Sequence, residues 1–416
     1  MRAPNIEFYL KGRIVKLLFI ARDDFPSIRP DVYCLFGKYL PRFDVASTLV
    51  SQLRLDSGSD EMKWGGGDLV LCPNKTGFKA IDMLVRFLFE MYTLIFLGRK
   101  HSGIQVRDKI ITGTLALWIA KLYKKPFFYW MSYPFPEEDL QNCKYNKASF
   151  GLLRLLFLTV RGNLTRYLLR KVLLPCASHV FVQSENMLSG LVSQGVPRHL
   201  MTAVPMCVDL DEYQNIDETV SIDDRLLGRR VVGYLGGLDR IRGLDFLLTS
   251  FALLHKKMPL SILLLIGDSH NNSDTDWLKQ KAKELEIEND VIFTGWLPRQ
   301  SAQVMLQSAE IGVNTIPNNT VFNWSSPTKV VEYAVLGIPS VVTDNPSQSQ
   351  FIEESGAGIC VEYDEVKFAN ALQEIFSKTE LVKEMSANGK NFVAKSRNYK
   401  TISEEISSVY CSYALT

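Results

Sequence analysis

With 416 residues the chain is too long for one typical hydrophobic core, so two domains are expected. A formal net charge of +2 argues against a dedicated nucleic-acid binder. Seven cysteines stand singly without a CxxC pair and five histidines are dispersed, which argues against a disulfide scaffold and a zinc site and suits reduced thiols in a cytoplasmic setting.

The first apolar run, Val15–Ala21, is short and ends in Arg22-Asp23-Asp24, so it reads as a strand and not as a cleavable leader. In chain order, strands are expected at Val15–Ile20, Asp44–Val50, Leu69–Cys72, Ile104–Val106, Phe127–Trp130 and His179–Val182. Between them, helices are expected at Asp31–Tyr39, Lys79–Phe96, Ile110–Tyr123 and Glu185–Ser193. The stretch Leu84–Leu97 is the nearest candidate for a membrane span, but Arg86 and Glu90 interrupt it.

Residues Asp209–Leu227 are polar, acidic and aperiodic, and read as a linker. A second alternating series follows, with strands at Arg230–Leu235, Ser261–Ile266, Val291–Thr294, Ile311–Val313, Ser340–Val342 and Gly358–Val361. Its helices include Leu244–His255, Thr275–Leu285, Gln300–Gln307 and one opened by Pro327. Apolar strands between amphipathic helices predict α/β units with parallel sheets covered on both faces. Two such doubly wound units imply a cleft between them, with ligands at the carboxyl ends of the strands.

The densest chemistry lies in Ser325-Ser326-Pro327-Thr328-Lys329-Val330-Val331-Glu332-Tyr333. Ser326 is a good helix N-cap, and Pro327 suits the first helical position. The helix then opens with free N–H groups at its positive end, an anion site. Lys329 opposes the helix dipole there unless an anion is present, and Glu332, one turn on, can accept from a diol. A diphosphate with a ribose beside it fits this layout. The competing account is an ordinary capped helix with a Lys329–Glu332 surface pair.

Three more loops follow predicted strands. Gly236-Gly237-Leu238-Asp239-Arg240-Ile241-Arg242-Gly243 lets backbone approach phosphate and offers two arginine forks, or is a glycine-rich turn with solvated arginines. Gly267-Asp268-Ser269 and Gly295-Trp296-Leu297-Pro298 fall at the ends of the next two strands, and either is also consistent with a simple turn.

The order Tyr-Leu-Gly-Gly-Leu-Asp-Arg-Ile-Arg-Gly, Leu-Leu-Ile-Gly-Asp, Val-Ile-Phe-Thr-Gly-Trp and Ser-Pro-Thr-Lys-Val-Val-Glu-Tyr-Ala-Val-Leu-Gly-Ile-Pro-Ser-Val-Val resembles the donor domain of the family 4 retaining glycosyltransferases. The resemblance covers about residues 229–395. Weaker pieces in the first half are Ile104–Asp108, Ala177–Glu185 and Val204–Asp209, the last with Cys207 where the family has glycine.

The resemblance implies GT-B architecture, two Rossmann-like doubly wound domains facing a central cleft. Residues 1–208 would bind the acceptor, 209–228 would link, 229–396 would bind the nucleotide sugar, and 397–416 would form a helix, near Thr401–Tyr413, crossing back to the first domain. It further implies retaining transfer from a nucleotide-diphosphate sugar to an acceptor hydroxyl, in surface polysaccharide or glycolipid synthesis, without metal or other cofactor. Arg242 matches a phosphate-gripping lysine, and Glu332 the second acid of a paired-glutamate motif. Ser326, Pro327 and Thr328 match the backbone stretch facing the phosphates. Arg240, Arg242 and Lys329 would stabilise the departing diphosphate. Gly236, Gly237, Gly267, Asp268, Gly295 and Trp296 would complete the donor site. Two departures stand out: the first acid falls at Trp324, and the usual phosphate arginine at Gly237, where Arg240 would compensate.

The first domain is expected to supply the acceptor site. Tyr129–Glu138 reads as an aromatic, acidic loop after a strand, suited to stack on sugar rings and bond hydroxyls, with Ser132, Tyr133 and Glu137 as contacts; aromatic packing between layers is the alternative. Arg107 and Asp108 also follow a strand, either as acceptor contacts or as a buried ion pair. Phe25–Pro30 stands where relatives carry a Gly-Gly loop.

The stretch Phe150–Leu174 is apolar with Arg154, Arg161, Arg166, Arg170 and Lys171 interspersed. It either lies on an anionic membrane surface, at the inner face, or packs on its domain with solvated arginines. A lipid-linked or glycan acceptor fits the first account. The rival functions are a sugar-nucleotide epimerase of the same fold, needing no acceptor, and a non-catalytic scaffold.

Overall fold

The computed structural model describes residues 14–54, 63–73, 75–145, 151–214 and 223–414. Residues 1–13 of the expected first domain, Phe150 and residues 215–222 of the expected linker lie outside these. The chain forms two compact units: one holds the residues through Pro205 and the segment from Tyr399 on, the other is Met206–Asn398.

The first unit is built on a seven-stranded sheet of β1 (Val15–Ile20), β2 (Val45–Gln52), β3 (Leu69–Cys72), β4 (Gly103–Arg107), β5 (Phe127–Met131), β6 (His179–Val182) and β7 (Met201–Ala203). The order is β3-β2-β1-β4-β5-β6-β7 and every pairing is parallel. Strands β4, β5 and β6 are buried along their whole length, which is why they read as apolar runs and not as alternating strands. Four helices matter below: α1 (Lys79–Leu97), α2 (Ile110–Leu122), α3 (Phe135–Tyr145) and α4 (Leu152–Tyr167).

The stretch Tyr129–Glu138 is not one loop. Tyr129, Trp130 and Met131 belong to β5, and α3 begins at Phe135 with Glu137 and Glu138 in its first turn. Acids there complement the helix dipole and Pro136 suits a helix start, so the stretch turns helical after a short break. The C-terminal helix Tyr399–Ala414 packs in this unit: Tyr410 is buried, donates to Gln105 Oε1 at 2.8 Å and lies edge-on to Phe128.

The second unit carries a six-stranded sheet of β8 (Arg230–Leu235), β9 (Ser261–Ile266), β10 (Val291–Phe293), β11 (Ile311–Asn314), β12 (Ser340–Thr343) and β13 (Gly358–Val361). The order is β10-β9-β8-β11-β12-β13, again all parallel. One core cluster centres on Phe251, Leu263, Leu265 and Phe368, and another on Leu264, Ile266, Leu306 and Tyr333. Its labelled helices are α5 (Leu244–Lys257), α6 (Asn272–Glu284), α7 (Arg299–Leu306) and α8 (Thr328–Leu336). In both units the strand order reverses once, between β1 and β4 and between β8 and β11, and such switch points open a crevice at the carboxyl ends.

Candidate active site

At the switch point of the second sheet, β8 runs out into Gly236 and Gly237. Gly236 has φ +140°, and a Cβ there would meet Lys329 Cε at 2.5 Å, so glycine makes room for the lysine stem. Gly267, φ +131°, is pinned the same way, because a Cβ would strike the Gly236 carbonyl. Helix α8 is tied to both central strands by Tyr333, whose hydroxyl accepts from Leu235 N at 3.1 Å and donates to Val313 O at 3.0 Å.

The start of α8 differs from the sequence expectation. Pro327 is the cap, in extended conformation, and Thr328 is the first helical residue, with no side-chain cap bond. The Ser326 hydroxyl instead accepts from Met206 N at 3.0 Å. Ser326 therefore anchors the entry of the second unit, and the first-turn N–H groups of α8 are left without a side-chain cap.

Lys329 does not form the surface pair with Glu332. It is only 9% exposed, and its ammonium lies over the Tyr234 ring at 4.7 Å. No carboxylate among the described residues lies within ion-pair distance of it. Burial first, and then the nearby Arg242 cation, hold its pKa well below the usual lysine range. Burial raises the Glu332 carboxyl against the opposing pull of Arg299 and Lys329. Glu332 Oε1 accepts from Tyr213 Oη at 3.4 Å.

Arg242 and Arg240 diverge. Arg242 Nε lies 3.4 Å from Asp239 Oδ2, and its charge is felt at Lys329 and Tyr234. Arg240 points to α6, 3.4 Å from Asp274 Oδ1 and over the Trp277 ring at 4.6 Å. Asp268 accepts from Ser269 N and Thr275 Oγ1, while Gly295 pairs with Gly267 in an isolated bridge. Trp296 is exposed and stacks near His270. Trp324, at the place of the missing acid, is buried. Sequence reasoning missed Tyr213, Tyr234 and Asp239, which support the site, and Asn314 and Thr315. The last two, at the end of β11, leave three buried side-chain polar atoms without a hydrogen-bond partner. Polar residues closing a buried apolar strand were the available signal.

In the first unit, the buried ion-pair account describes Arg107. Its guanidinium meets Asp23 at 2.5 Å, Asp31 at 2.8 Å and Asp108 at 3.0 Å. Asp108, with φ +57°, accepts from Ser132 N at 2.8 Å and from the Ser132 hydroxyl. Burial raises the Asp108 carboxyl, and Arg107 opposes the shift. Glu137 pairs with Arg170, and Tyr133 packs on Phe135. Asp108 lines a cavity of about 730 Å³ between α1, α2, α3 and α4; Arg107, Ser132, Tyr133 and Glu137 do not.

Residues 229–378 match the family described as Glycosyl transferases group 1. An alpha-monoglucosyldiacylglycerol synthase of Streptococcus pneumoniae is 21% identical over 307 residues, 71% of this chain and 64% of that protein. A putative glycosyltransferase of Bacillus subtilis, YtcC, is 21% identical over 44% of this chain and 46% of its own length. The matches thus span less than two thirds of these curated relatives. Among solved structures, Anabaena HepE in complex with UDP and glucose superposes with a TM-score of 0.70 at 16% identity, over 96% of this chain and all of that one. WaaG, a glycosyltransferase involved in lipopolysaccharide biosynthesis, gives 0.64 at 11% identity, over 95% and 99%. The fold is thus that of the GT-B glycosyltransferases, two Rossmann-like units. The match to the group 1 glycosyl transferases lies within the second unit, over residues 229–378.

Proposed function

We propose that the chain transfers a sugar, with retention, from a nucleoside-diphosphate sugar to an acceptor hydroxyl in surface polysaccharide or glycolipid synthesis. The observation that carries this is Lys329: a buried cation without a carboxylate partner among the described residues, at the uncapped start of α8 and beside Arg242. An anion of high charge density is the natural complement. HepE structures in complex with UDP and with UDP-glucose support a nucleotide sugar as that anion.

In this reading the diphosphate lies against Gly236, Gly237 and the backbone of Ser326, Pro327 and Thr328. Glu332 accepts from the ribose hydroxyls, and Gly267, Asp268, Gly295 and Trp296 border the donor. The bond between the anomeric carbon and the β-phosphate oxygen breaks, and charge grows on the diphosphate. Lys329 and Arg242 neutralise it, with Arg240 further out, its side chain turned toward α6. The acceptor hydroxyl attacks from the same face, and its proton passes to the leaving diphosphate. Positioning and electrostatics carry the rate, and no metal is used. The first unit takes the acceptor near Asp108, and residues 150–174 hold the protein at an anionic membrane surface.

Proton NMR of the product formed from an α-configured donor tests the reading. An α-linked product is expected, and a β-linked one overturns retention. Buried Trp324, in place of an acid expected to contact the sugar, favours one alternative, a scaffold that binds nucleotide sugar without turning it over. Tight donor binding with no product from any acceptor would establish that alternative.

A further inference from the structure

Glu332 is supported by a segment that lies outside every donor motif. The short helix Leu210–Gln214 belongs to the second unit, in the stretch whose residue types read as a linker. Leu210 and Tyr213 pack against the apolar cluster of Val208, Val330, Val331 and Val342, which docks this helix on α8. Tyr213 thereby reaches Glu332, and its hydroxyl donates to Oε1 at 3.4 Å. Helix α7 stands on the other side. Gln303, buried there, lies beside the Tyr213 hydroxyl, and its Nε2 has no hydrogen-bond partner among the described residues. Arg299 of the same helix pairs with Glu212 at 2.7 Å.

Packing on the valine cluster needs only the Tyr213 ring, and phenylalanine would fill the same space. What the hydroxyl adds is the bond to Glu332. Burial first, and then the Glu332 charge, push the Tyr213 pKa up, so the hydroxyl keeps its proton and acts on the carboxylate as a donor. Of the groups that face Glu332, Arg299, Lys329 and Tyr213 favour the ionised carboxylate, while burial, the largest effect, and Glu212 oppose it. An ionised carboxylate offers about four acceptor positions. Tyr213 takes one and fixes the plane of the group, which a ligand would otherwise have to order for itself.

We propose that Tyr213 is a positioning residue for Glu332: its hydroxyl holds the carboxylate so that the remaining acceptor positions meet both hydroxyls of a ribose, and it thereby sets a preference for a ribo- over a 2′-deoxyribonucleoside diphosphate. The proposal rests on the transfer reading, in which Glu332 accepts from the ribose.

The test is calorimetry on the full chain with whichever of ADP, GDP and UDP binds best, its 2′-deoxy form and inorganic pyrophosphate. The wild type should prefer the ribo form about tenfold, the worth of one hydrogen bond to a charged group, and Tyr213→Phe should reduce that preference to about threefold or less while pyrophosphate affinity holds. As pH falls, the variant should also lose nucleotide affinity relative to pyrophosphate at a higher pH than the wild type, because Glu332 takes up a proton sooner without its donor. The ratio to pyrophosphate cancels the titration of the phosphates and of Lys329. An unchanged ribose preference or an unchanged acid limb in Tyr213→Phe overturns the proposal. So does an equal loss for pyrophosphate, which marks a purely structural tyrosine. A wild type that binds none of these nucleotides overturns the transfer reading as well.

Discussion

Lys329 is held in a place where both burial and Arg242 oppose its charge. The free site therefore releases the lysine proton at lower pH than water would, and a bound diphosphate restores it. Above the lowered pKa, nucleotide binding takes up a proton, so affinity falls as pH rises. Titrating UDP in buffers of different ionisation enthalpy should show this uptake, and Lys329→Met should remove it. Stability runs the other way: between the lowered pKa and the ordinary lysine value the unfolded chain binds more protons, so the second unit gains stability with rising pH. Glu332→Gln keeps shape but removes a charged acceptor, costing about 1.5–3 kcal/mol of nucleotide affinity by calorimetry. Arg242→Ala should cut turnover more than affinity for the free nucleoside, because charge grows on the diphosphate only as the bond breaks. Arg240→Ala should do far less, since that side chain is spent on Asp274 and Trp277. Two arginines two residues apart look alike in sequence. The 3₁₀ turn of Arg240–Arg242 sends them in different directions, and no pattern of residue types reports that.

Elements were legible where one periodicity dominated. The buried parallel strands read directly, and β1, β3, β6, β8, β9 and β13 fall on the expected residues. Helix α3 was read as loop because aromatic residues of β5 run without a break into its acidic first turn. Ser326 was read as a cap because Ser-Pro is a local signal, whereas its true partner, Met206, lies 120 positions away. Tyr333 shows how the site depends on its element. Its hydroxyl joins α8 to β8 and β11 at once. Tyr333→Phe takes the hydroxyl from the part-buried Leu235 N–H and the buried Val313 carbonyl and should cost about 1–3 kcal/mol in denaturant unfolding of the second unit. A stability unchanged by the substitution would remove Tyr333 from the architecture of the site.

For the whole molecule, no helix among the described residues is long and apolar enough to cross a membrane. The proposed association with a membrane acts through a surface. The basic residues of 150–174 were the legible sign, but two of them are committed elsewhere: Arg161 pairs with Asp139 and Arg170 with Glu137, both on α3. Replacing those arginines would loosen α4 and the turns that follow it from α3 and confuse folding with binding. The exposed leucines and phenylalanine of α4 are cleaner targets. Raised salt should weaken flotation with anionic vesicles, because exposed charges are screened within about 10 Å at 0.1 M, yet leave the apolar share of binding. Complete insensitivity to salt would contradict the role given to the cations.

The most direct measurement of the central claim is nucleoside-diphosphate release from a panel of nucleotide sugars, with and without a membrane lipid extract, by the wild type and by Lys329→Met. Acceptor-dependent release from one donor, at least about a hundredfold slower in the variant while nucleoside affinity persists, is the predicted result. Sugar interconversion without acceptor, or release that ignores the loss of Lys329, would contradict it.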